Sequence, residues 1–87
     1  MESVIPPLLR IYARNIELLA VKRGIPSHAL ARKLGLTANT LNRIRFARSR
    51  YLDPEVFVAL LGLFECEPND LLLPQPGIDY SHDIRTR

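Results

Sequence analysis

Only Gly35-Leu36-Thr37 separates the helix-forming segment SHALARKL, residues 27–34, from ANTLNRIRF, residues 38–46. A three-residue connection leaves the second helix no course except to turn sharply and pack against the first. Gly35 suits the positive φ that such a turn demands. Ser27 is expected to cap the first of these helices and Thr37 the second. Helical spacing turns Ala29, Leu30, Ala31 and Leu34 inward on one helix, and Leu41 and Ile44 on the other, with Leu36 anchoring the turn. Ala38, Asn39, Asn42, Arg43 and Phe46 are then left facing outward.

Charge falls on the same stretch. The 87-residue chain carries a net charge of +3, which conceals a strong asymmetry. Residues 24–50 hold Arg32, Lys33, Arg43, Arg45, Arg48 and Arg50 with no Asp or Glu, whereas residues 51–73 hold five acids and no base. The surface is therefore polarised, and a helical hairpin with an undiluted basic face is suited to lie against phosphates.

The flanking segments read as supports. A first helix is expected over about 7–23, opened by Pro7 and closed by Gly24, with Leu9, Tyr12, Ile16, Leu19 and Ala20 on one buried stripe. Asp53-Pro54-Glu55 is a strong helix start, giving a fourth helix over about 54–64 that buries Phe57, Leu60, Leu61 and Phe64. Glu67 or Asn69 caps a last short turn carrying Leu71 and Leu72. The chain thus divides into an all-α domain over 1–73 and a tail, 74–87, expected to be flexible or partner-dependent.

Several chemistries find no support. His28, His82 and Cys66 lack metal-ligand spacing, and no nucleophile stands with a base or near a Gly-rich phosphate loop, so neither metal, cofactor nor catalysis is expected. One cysteine allows no internal disulfide. No secretory leader is recognisable, and no apolar run is long enough to span a membrane. A cytoplasmic location, in a bacterium or a phage-infected cell, is the expectation.

Between Ser27 and Phe46 the pattern resembles the helix-turn-helix signature: Ala31 at the small position where the helices approach, Gly35 at the turn, Leu41 and Ile44 at the apolar positions beyond it. With the first helix upstream and LDPEVFVALLGLFECEPNDLL downstream, residues 16–72 resemble the compact five-helix domain of the Cro and lambda-repressor type, the XRE family. The resemblance implies that the third helix enters the major groove of double-stranded DNA, with Thr37, Ala38, Asn39, Asn42 and Arg43 facing the bases. Arginine can bridge guanine O6 and N7, asparagine adenine N6 and N7, and a methyl group can meet thymine. Ser27, Arg45, Arg48 and Arg50 are placed to grip the backbone. Many relatives pair a glutamate at the position of Arg45 with an arginine at that of Ala20. Both are absent here, so Arg45 is expected to turn toward solvent or phosphate. The glycine usual near Ala47 is also absent, which leaves the path of residues 47–52 open.

Val56, Ala59 and Leu63 form a second apolar stripe on the fourth helix, with Val58 nearby. Read as surface, it implies a homodimer that also uses Ile78 and Tyr80; alternatively, Ile5, Leu8 and Ile11 cover it within one chain. The resulting expectation is a sequence-specific transcriptional regulator, acting as a repressor. The alternatives are an antitoxin that holds a toxin through the fourth helix or tail, and a protein-interaction module that keeps the fold without reading DNA.

Overall fold

The computed structural model describes residues 7–48 and 51–80. Arg50, His82 and Ile5 lie outside them. Five helices follow in order: α1, Pro7–Lys22; α2, Ser27–Leu34; α3, Ala38–Arg45; α4, Pro54–Phe64; and α5, Pro68–Leu72. The described residues contain no strand. Leu9, Tyr12, Ile16 and Ala20 of α1 form the spine of the core, against which Leu30 and Ala31, Leu41, Val56, Leu60 and Phe64, and Leu71 of the other helices pack.

Each of the first four helices ends in the same way. One residue takes a left-handed conformation, and the next N–H reaches back across the last turn. Gly24 and Gly35 do this with φ of 69° and 70°, and Ile25 and Leu36 donate to Ala20 and Ala31 carbonyls at 2.8 and 2.9 Å. Ala47 and Glu65 do it without being glycine, at φ of 56° and 51°. Arg48 then donates to the Arg43 carbonyl at 2.7 Å and Cys66 to that of Leu61 at 3.1 Å. The missing glycine near position 47 thus leaves the turn unchanged and adds strain, of about 1–2 kcal/mol for a left-handed L-residue.

The fourth helix is rotated from its expected setting. Val56, assigned to an exposed stripe, is buried in the core, and Leu63 is half-buried against it; Phe57 and Leu61, expected to be buried, are half-buried at the flank. In PEVFVALLGLF almost every position is apolar, so periodicity could not fix the helix's rotation. The packed arc, from Leu63 through Val56 and Phe64 to Leu61, spans roughly 160° at about 100° per residue. Val58, Ala59 and Gly62 are left on the exposed side.

Residues 74–80, the described part of the expected tail, are tied to the core through Asn15. Asn15, 1% exposed, is the one buried polar side chain among the described residues. Its Nδ2 donates to the carbonyls of Leu71 and Leu73, both at 3.0 Å, and its Oδ1 accepts from the Tyr80 hydroxyl at 2.5 Å. The Tyr80 oxygen in turn accepts from the Gln75 backbone N–H at 3.0 Å. Residues 74–80 are therefore strapped to α1, and Ile78 and Tyr80 are half-buried in their own chain. At α5, Glu67 is the N-cap, and its N–H donates to the Asp70 carboxylate at 2.9 Å.

Candidate nucleic-acid interface

The α3 face is set by what lies beneath it. Leu41 is 2% exposed and Ile44 packs beside it on the core, which fixes the helix's rotation. Ala38, Asn39, Thr40, Asn42 and Arg43 are exposed as a consequence, as is Thr37 before them. Within the described residues no side-chain hydrogen bond or ion pair engages Asn39, Asn42 or Arg43. They are polar groups held on a rigid helix with their bonding capacity unspent.

Thr37 serves as the N-cap: its Oγ1 accepts from the Thr40 N–H at 3.1 Å. It also donates to Thr40 Oγ1 at 3.0 Å, so this hydroxyl is committed to the helix end. Thr40 was not among the residues expected at the interface. It is exposed and lies between Arg43 and Ile44 around the helix, at the border of the outer face.

Ser27 is the first residue of α2, and Pro26 occupies the cap position without a side-chain bond. The expected Ser27 cap is therefore corrected: the X-Pro-Ser boundary places proline outside the helix in extended backbone, and frees the serine hydroxyl for another partner. That partner is Arg45. Its Nη1 donates to Ser27 Oγ at 2.8 Å, and its guanidinium carbon lies 5.7 Å from the centre of the Phe46 ring. Rather than extending into solvent, Arg45 is half-buried and bridges the end of α3 to the start of α2. The bridge joins a cationic group to the free N–H groups of a helix N-terminus, both of which favour an anion. Arg48 is exposed just beyond α3.

One supporting group, Arg23, escaped sequence reasoning, whereas Tyr12 was expected on the buried stripe. Arg23 donates to the Phe64 carbonyl at the end of α4 and stands 3.6 Å from the Glu65 carboxylate. It thereby holds the end of α1 on the negative end of another helix. Tyr12, 3% exposed, has its ring 6.1 Å from that of Phe57. Burial first, and the nearby Asp53 charge second, hold its hydroxyl far above the usual tyrosine range, so it remains protonated. Asn15 did leave a signal in the sequence: it is a lone amide beside Ile11, Tyr12 and Ile16 in an otherwise apolar stripe.

The described residues hold no cluster of three or more His, Cys, Asp or Glu able to bind a metal ion. Among the described residues no helix is long and apolar enough to cross a membrane. A family model described as the Cro/C1-type HTH DNA-binding domain matches residues 15–77, more than two thirds of the chain. Neither curated proteins nor solved structures give a significant match.

Proposed function

The chain belongs to the Cro/C1-type helix-turn-helix DNA-binding family, and from that premise we propose that it is a sequence-specific transcriptional regulator that represses by occupying its operator. The observation that carries this reading is the outer face of α3, where Asn39, Asn42 and Arg43 are exposed and unengaged above a fixed core. In the proposed complex this face enters the major groove. Arg43 bridges a guanine, Asn39 and Asn42 take adenines, and Ala38 and the Thr37 methyl meet thymine. The Arg45–Ser27 bridge and Arg48 take phosphates, joined by Arg50, and fix the register without reading sequence.

Repression by a small domain of this kind is proposed to use a two-fold dimer, with half-site centres about 34 Å apart. Val56 is removed from the proposed interface because the core already uses it. Ala59 remains, joined by Val58, which is 64% exposed, with Leu63, Ile78 and Tyr80 contributing only their uncovered edges.

Fluorescence anisotropy against random duplex DNA at several salt concentrations, followed by selection and sequencing of the bound fraction, tests the reading. A steep salt slope and an enriched, roughly palindromic site are expected. Arg43→Ala should relax preference at one base position, at a cost of about 1–3 kcal/mol there. Weak binding without enrichment would refute DNA reading and favour a protein-interaction module. Loss of operator binding only on adding a co-purified toxic partner would favour the antitoxin.

A further inference from the structure

Behind the proposed reading face, a pocket of about 210 Å³ opens where α1, α3 and the start of α4 meet. Its wall is largely apolar, made by Leu9, Ile44, Ala47 and Val56. Five residues of the lining carry polar groups: Tyr12, Thr40, Arg43, Tyr51 and Asp53. The Tyr12 hydroxyl is buried and has no hydrogen-bond partner. Buried polar groups in folded proteins are nearly always paired, so this covered donor, on a residue that lines the pocket, is unusual in having no acceptor.

We propose that this pocket binds a compact, uncharged, mostly apolar molecule carrying one carbonyl acceptor, which receives the Tyr12 hydroxyl. The apolar wall supplies the driving force, and the hydroxyl supplies orientation. A net charge on the ligand is disfavoured because Arg43 and Asp53 line the same small space with opposite signs. The hydroxyl is covered in the free chain, so binding includes a small shift of the Tyr12 ring. The volume restricts the ligand to something smaller than drug-sized molecules, whose pockets are about 300–1,000 Å³.

Arg43 belongs both to this wall and to the outer face of α3. Resting on the regulator reading, occupancy of the pocket then draws the guanidinium away from its base and weakens operator binding. The ligand site itself does not depend on that reading.

Benzamide, uncharged and with a single carbonyl, is the probe, titrated to tens of millimolar against the ¹⁵N-labelled full chain by NMR. Saturable shifts confined to Leu9, Tyr12, Ile44, Ala47 and Val56 are expected. Tyr12→Phe, which keeps the ring packing, should weaken binding about two- to tenfold, as loss of one hydrogen bond implies. No saturable shift, or shifts centred elsewhere, would overturn the site. Saturable binding that Tyr12→Phe leaves unchanged would overturn the role of the hydroxyl and with it the ligand class. With an operator in hand, anisotropy should show weaker binding at saturating benzamide. Unchanged operator affinity would sink the coupling alone, and absence of any DNA binding would sink the regulator reading while leaving the NMR result intact.

Discussion

Removing one oxygen atom from the core should make this protein more stable. Tyr12 is 3% exposed and its hydroxyl has no partner, so folding strips that group of water without compensation. Leaving a buried donor unsatisfied costs about 1–3 kcal/mol. Tyr12→Phe removes that penalty and keeps the ring's tilted contact with Phe57. The void left by a single oxygen costs a few tenths of a kcal/mol, at about 24 cal/mol per Å³ of cavity. The balance is a gain of about 1 kcal/mol, which for a domain of this size raises Tm by about 4–8 °C. Differential scanning calorimetry at pH 7 without added ligand provides the measurement. The gain should widen in alkali. The folded chain holds the Tyr12 proton more tightly than the unfolded chain, whose tyrosines titrate near 10.0. Wild-type stability from this group is therefore full below about pH 10 and is lost above it, by up to about 1.4 kcal/mol per pH unit. Tyr12→Phe escapes that loss. A Tm lowered by several degrees at pH 7 would show that the hydroxyl is satisfied, and would refute the reasoning.

The strap and the left-handed helix ends give two more tests. Tyr80→Phe leaves the Asn15 oxygen and the Gln75 N–H without their partner, at a cost of about 1–3 kcal/mol. Urea unfolding should show the loss, and limited proteolysis should cut near residues 74–80 first; equal stability and unchanged cleavage would mean the tail is not held there. Glu65→Gly relieves a left-handed residue at an exposed site, where the ion pair with Arg23 adds little. After the added freedom of glycine in the unfolded chain is set against about 1–2 kcal/mol of strain, a gain of about 0.5–1 kcal/mol is expected from calorimetry.

Helix boundaries were legible wherever a residue type has a single physical use. Pro7, Gly24, Gly35 and the Asp53-Pro54 pair mark starts and stops that the structure repeats within a residue. The turn and the outer face of α3 followed from spacing, because polar Asn39, Asn42 and Arg43 alternate with apolar Leu41 and Ile44. Rotation of α4 was illegible for the opposite reason: a helix with almost no polar residue carries no phase. Ser27 misled because serine and the preceding proline both suit a helix start, and only the backbone decides which lies inside. Asn15 and Tyr80 were hidden by distance. Each looks like an isolated polar group in sequence, and the bond between them exists only after the chain has closed on itself.

That closure bears on how the protein is made. Sixty-five residues separate Asn15 from Tyr80, and at about 5–20 residues per second a ribosome takes roughly 3–13 s to span them. Through that interval the Asn15 amide lacks the Tyr80 hydroxyl, although the apolar stripe of α1 gains Leu30, Leu41 and Leu60 to pack against as each is made. A cut between α5 and Tyr80 would leave a chain whose α2 and α3 are complete yet whose Asn15 lacks the Tyr80 hydroxyl. The buried amide of the first helix is in this sense satisfied last, by a tyrosine on the far side of the molecule's own sequence.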